Sequence, residues 1–143
     1  MVTATLKRKL SEISRCGSMK KRMVKKMDVG QAIMQGDVYL IRVADDWPRG
    51  DQIGEKSVQI ALGSSNGARH MATGPVQAFK GKQLPNGFTA PQGVDSAELL
   101  GPVVVASRPW TLTHPEHPHH ALPAGTYQVT YQVDLMTMRR VQD

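Results

Sequence analysis

Residues 126–134 alternate without a break: Thr126, Gln128, Thr130, Gln132 and Asp134 interleave with Tyr127, Val129, Tyr131 and Val133. Period two over a stretch this long fits an extended strand with one apolar and one polar face. Such a strand has to pair along its edges and cover its apolar face, so the chain must build a sheet around it. Pro123-Ala124-Gly125 supplies the turn that starts it.

The rest of the chain after residue 35 breaks into pieces of similar size. Val38-Tyr39-Leu40-Ile41-Arg42-Val43 is a short apolar run between Gly36-Asp37 and Asp45-Asp46-Trp47-Pro48. Residues 58–62 form another, closed by a Gly63-to-Gly67 stretch in which Asn66-Gly67 is a strong hairpin turn signal. Residues 75–79 and 87–89 are weaker strand candidates, and Val103-Val104-Val105 suits a strand buried on both faces. Thirteen Gly and nine Pro punctuate these pieces too often for long helices. The fold predicted is mainly β, a compact antiparallel sandwich or small barrel spanning about residues 33–137.

The N-terminal region differs. Residues 1–30 carry Lys7, Arg8, Lys9, Arg15, Lys20, Lys21, Arg22, Lys25 and Lys26 against Glu12 and Asp28, a net +7, while the other residues sum to −1. Leu6, Leu10 and Ile13 lie at helical spacing, and Ser18 is placed to cap a second short helix bearing Met19, Met23 and Met27. The organisation predicted is a basic, partly helical arm over 1–30 and a β-rich body over 31–143. Each helical piece is shorter than the roughly 12–15 residues at which an isolated helix becomes marginally stable, so the arm is expected to need a partner.

Nine charges in such an arm point to polyanion binding or to docking on neighbouring protein subunits. No aromatic residue interleaves them, so contact with nucleic acid would be to backbone phosphates without base stacking. The arm also lacks Trp or Phe to anchor it in a membrane interface. No run approaches the length of a membrane-spanning helix, and the basic start lacks the apolar core of a signal peptide. The single cysteine, Cys16, permits no intrachain disulfide and sits among Arg15 and Lys20 as a bystander thiol.

The best candidate for chemistry is the stretch His114-Pro115-Glu116-His117-Pro118-His119-His120. Imidazoles converging from a loop can hold Zn, Ni, Cu or Fe, and His70 from another strand is the natural companion. The candidate metal set is therefore His70, His114, His117 and His119, with Glu116 as an alternative oxygen donor. A Pro- and His-rich loop also fits a simple solvated turn whose rings bond backbone carbonyls. No Walker-type phosphate loop and no nucleophile elbow is present, and no catalytic set emerges.

Gln35-Gly36-Asp37-Val38, the Gly63-to-His70 turn, Leu112-Thr113-His114-Pro115-Glu116-His117 and Leu122-Pro123-Ala124-Gly125-Thr126-Tyr127-Gln128-Val129 together resemble a family of small bacterial and phage-encoded proteins. Its members show QGDV, TGHAH, H-x-E-H and LPxGxY in that order. The resemblance covers about residues 35–134. Where the family has two histidines, this chain has Ala68 and His70, so one candidate ligand is missing and Arg69 adds a positive charge. The expectation is a non-enzymatic structural or accessory component of a large assembly, first a bacteriophage capsid-associated protein located in the virion, otherwise in the bacterial cytoplasm. Its partners would be other protein subunits of the particle, with no cofactor. The alternatives are a metal-binding β protein of cupin-like build, holding one divalent transition ion, and a non-specific nucleic-acid-binding accessory protein.

Overall fold

The computed structural model describes residues 21–62, 69–88, 90–134, 136 and 139–140. Their strands are β1 (Arg22–Met23), β2 (Ala32–Gln35), β3 (Val38–Val43), β4 (Arg49–Leu62), β5 (Arg69–Gly81), β6 (Leu100–Ala106), β7 (Trp110–Thr113), β8 (His120–Leu122), β9 (Gly125–Tyr131), β10 (Val133–Asp134) and β11 (Arg139–Arg140). A single-turn 3-10 helix, Ser96–Leu99, precedes β6 and is capped by the Asp95 carboxylate, which accepts from the Ala97 N–H. The protein is mainly β, as the alternation and the turn spacing require.

Nine strands form one sheet in the order β1-β8-β7-β5-β6-β9-β3-β2, with β4 added along β5. Its pairings are antiparallel apart from β1 with β8, which run parallel. β5 is the hinge of this arrangement. It pairs with β7 through Met71–Thr73 and with β6 through Val76–Phe79. Gly74 and Pro75 fall between the two ladders, where a proline without an N–H interrupts the hydrogen bonding and lets the strand bend. The sheet therefore curls into a half-barrel, and the core fills its concave side.

Leu40, Ala72, Val104, Leu112, Leu122, Tyr127 and Val129 are fully or almost fully buried there. Trp110 packs edge-on against Tyr127 at 5.3 Å between ring centroids, so this tryptophan fills the core. Tyr39, in contrast, faces Phe88 at 6.0 Å beside a cleft. Trp47 is tied by its indole N–H to Gln128 Oε1 at 2.9 Å.

Several expectations need correction. The second helical piece does not form over the described residues: Arg22–Met23 is a strand, Met23 is exposed and Met27 is buried in the core. Its three methionines are spaced for a helix, but the edge of β8 offers hydrogen bonds that an isolated turn lacks. Residues 58–62 and 75–79 belong to much longer strands, because β4 and β5 pair with each other over almost their full length. Gly87 and Phe88 lie in a turn and not a strand. The Asn66-Gly67 turn lies outside the described residues, although β4 and β5 on either side of it are antiparallel neighbours.

The alternating strand also departs from its simple reading. β9 lies between β6 and β3, and its polar face is as buried as its apolar one. Thr126, Gln128 and Thr130 are covered and satisfied individually. Thr126 donates to Asp45 Oδ1 at 3.2 Å, Gln128 to the Gly101 carbonyl at 2.8 Å, and Thr130 to the Leu99 carbonyl at 2.7 Å. Alternation reported polarity correctly, while burial was decided by what crosses over the strand.

Candidate functional site: a buried histidine network

β2 and β3 are joined by the tight turn Gly36-Asp37, with Gln35 and Val38 paired across it. Gly36 takes φ of +58°, a conformation that most side chains avoid. The turn points inward instead of to solvent. Gln35 is 2% exposed and Asp37 1%, and both reach His70, which is fully buried on β5.

His70 Nδ1 lies 2.9 Å from Gln35 Oε1, and His70 Nε2 lies 3.1 Å from Asp37 Oδ1. The direction of the first bond follows from the amide. Gln35 Nε2 donates to the Leu112 carbonyl at 3.1 Å and to the Pro118 carbonyl at 3.0 Å, which leaves Oε1 as the acceptor. His70 Nδ1 must then carry a hydrogen. The opposite nitrogen meets a carboxylate oxygen, and two lone pairs this close need a proton between them. The Asp37–His70 pair therefore holds that further proton on one atom or the other.

The loop between β7 and β8 closes the site. His114, 1% exposed, accepts at Nδ1 from the Glu116 N–H at 3.0 Å, which assigns its hydrogen to Nε2. Ring centroids of His70 and His114 are 4.3 Å apart, those of His114 and His117 4.4 Å, and those of His70 and His117 6.0 Å. The structure thus brings together three of the four histidines singled out in the sequence. His119 stands apart: it is exposed, and its backbone carbonyl receives the Arg22 N–H at 2.6 Å. Glu116 is exposed as well.

These rings gather without presenting a ready ligand set. Among the described residues no group of three His, Cys, Asp or Glu side chains is arranged to hold a metal ion. The bond assignment explains why. A ligating imidazole needs a free lone pair on the metal side, yet His114 gives its lone pair to Glu116, and both His70 nitrogens face protein oxygen atoms. Clefts of about 540, 290 and 380 Å³ lie elsewhere, around Phe88 and around Arg42 and Asp45.

Gln35 and Asp37 were not among the candidate residues, because beside Gly36 they read as ordinary turn chemistry. Their signal was present: a glutamine and an aspartate flank one glycine directly before an apolar strand, within the QGDV motif. Of the basic residues, Lys7, Arg8, Lys9, Arg15 and Lys20 lie outside the described residues. Lys21 and Lys25 are exposed, Arg22 is in β1, and Lys26 lies 3.8 Å from Asp28.

Fold and site together define a small mainly-β protein whose curled sheet closes over a hydrogen-bonded His–Asp–Gln network. The chain belongs to the family described as Domain of unknown function (DUF8820), which matches residues 34–132. That span holds Gln35, Asp37, His70, His114 and His117 and excludes the basic segment. No curated protein and no solved structure matches the chain.

Proposed function

We propose that this protein is a non-enzymatic structural or accessory component of a large assembly, with its basic N-terminal segment docking on neighbouring subunits or on nucleic acid. The observation that carries the reading is the anchorage of that segment's root. The Arg22 N–H donates to the His119 carbonyl, the Val24 N–H donates to the Ala121 carbonyl at 2.9 Å, and Met27 enters the core. β1, which directly follows Lys21 in the chain, is thus fixed at a sheet edge. The histidine network supports the same reading, since it fastens the β2–β3 turn to β5 and to the loop before β8. The resemblance of residues 35–134 to phage-encoded proteins directs the proposal to a capsid.

Native mass spectrometry of the full chain tests it, alongside a variant with Lys7, Arg8, Lys9, Arg15 and Lys20 all changed to Gln. The full chain is expected to form species far above 15.7 kDa, or to bind random-sequence DNA with an affinity that falls steeply with salt. The variant should lose both behaviours and stay folded, since β1 and Met27 are retained. A full chain that remains monomeric and ignores DNA at low salt removes the proposal.

A second reading, a β protein holding one divalent transition ion, has the gathering of His70, His114 and His117 in its favour. It requires His114 to release the Glu116 N–H and the Asp37–His70 proton to leave. Metal analysis of the purified chain separates the two. About one ion per chain, lost in His70→Ala, would replace the structural reading of the histidines.

A further inference from the structure

His120 takes no part in the histidine network and occupies the seam of the half-barrel. It sits on β8 in register with Arg22 of β1 on one side and Leu112 of β7 on the other. It is 4% exposed, and its ring bonds the Met34 backbone carbonyl of β2, so one residue adjoins the strands at both ends of the sheet, β1 through its backbone and β2 through its ring. Its Nδ1 is buried with no hydrogen-bond partner among the described residues. A proton added there would be an N–H with nothing to receive it, on a ring that has become a cation.

We propose that His120 is an acid-sensitive clasp for the N-terminal segment: protonation of its buried ring detaches β1 from β8 while the rest of the sheet stays folded. Most of the ring's surroundings oppose the added charge. Burial comes first, the Arg22 guanidinium of β1 second, and His119 adds a smaller repulsion, which together hold the ring below the ordinary histidine range despite the Met34 bond. β2 (Ala-Ile-Met-Gln) and β7 (Trp-Thr-Leu-Thr) bring no ionisable side chain to offset it. On the segment after β1, Lys26 is paired with Asp28, both exposed. The unfolded imidazole titrates near 6.5, so the neutral ring's contribution is fully present above that pH and is lost as pH falls below it through the lower folded value.

β1 is the element that gives way. It has two residues, its Met23 side chain is exposed, and the Arg22 and Val24 N–H groups tie it to β8. Removing it separates Arg22 from the new charge and opens Nδ1 to water. The longer ladders of β3 with β9 and β4 with β5 do not depend on it. The release therefore acts as a switch on where the basic segment is held, whether or not that segment docks on a partner.

Hydrogen exchange resolved by NMR on the full-length chain tests the clasp, comparing wild type with His120→Gln and His120→Asn. Both variants keep a side-chain N–H for the Met34 carbonyl, and neither titrates. Between pH 7.5 and 5, after correction for intrinsic exchange, the Arg22 and Val24 amides of wild type should lose protection at least tenfold. The Leu40 and Val129 amides should keep theirs, and a variant that folds should keep protection at all four. Retained β1 protection in wild type at pH 5 overturns the proposal. So does parallel loss in the variants, or loss at Leu40 and Val129 together with β1.

Discussion

Replacing His70 with alanine is expected to destabilise the fold by about 2–5 kcal/mol, the usual penalty for deleting a large buried side chain, raised here by the polar partners it leaves unsatisfied. His70 is fully buried, and its removal takes a partner from Asp37, takes the N–H from Gln35 Oε1 and leaves a hole against His114. The neighbouring Asp37→Asn change should be much milder. A neutral His70 keeps Nδ1–H on Gln35, and its Nε2 lone pair can accept from the new amide, so every polar atom on that side finds a match. Urea unfolding followed by tryptophan fluorescence of the two variants gives both numbers. If His70→Ala costs under 1 kcal/mol, the network does not fasten the β2–β3 turn. If Asp37→Asn proves as damaging as His70→Ala, the ring is held as a cation that needs the carboxylate charge.

Gly125→Ala should destabilise the protein by roughly 2–4 kcal/mol, from a strained backbone and an overfilled site. Gly125 has φ of +149°, and a β-carbon there would run into the Arg42 guanidinium, 2.7 Å from Cζ and 2.9 Å from Nη2, closer still to Nε. Arg42 cannot swing away freely. It lies over the Tyr127 ring at 5.9 Å, donates to the Val43 carbonyl and approaches Asp45 at 3.9 Å. The glycine of the LPxGxY-like stretch is thus a seat for an arginine as well as the start of β9. The same substitution made in an Arg42→Ala background isolates the collision. Its penalty should shrink there to the backbone share, about 1–3 kcal/mol. An equal penalty in both backgrounds would assign the whole effect to φ.

Much of the architecture was legible because it depends on local chemistry. Period two at residues 126–134 placed β9, although that strand ends at Tyr131 and Val133–Asp134 pair with β11 in a separate sheet, and the short apolar runs bounded by glycine, proline and aspartate placed β3 and the buried half of β6. Two strands were far longer than their apolar stretches, since Arg49–Leu62 and Arg69–Gly81 are held by pairing with each other along exposed polar positions. Hydropathy carries no record of that ladder. The arm's root departs from its helical spacing for a related reason. Met19, Met23 and Met27 have helical spacing, yet Arg22–Met23 went to the open edge of β8, whose hydrogen bonds come from residues almost a hundred positions away.

The histidine site divides along the same line. Sequence alone singled out His70, His114, His117 and His119 as the ring residues to watch, because clustered imidazoles are rare and chemically versatile, and the fold gathers the first three of them. It also determined the charge split between a basic N-terminal segment and a nearly neutral body. Only the tertiary structure decided that Gln35 and Asp37 fold inward to share the two nitrogens of His70, that His114 gives its lone pair to a backbone N–H, and that His120 serves a different seam. The physical reason is that hydrogen-bond direction and burial belong to the space between strands. A residue's composition says which bonds it is able to make, and the curl of the sheet settles which of them it makes.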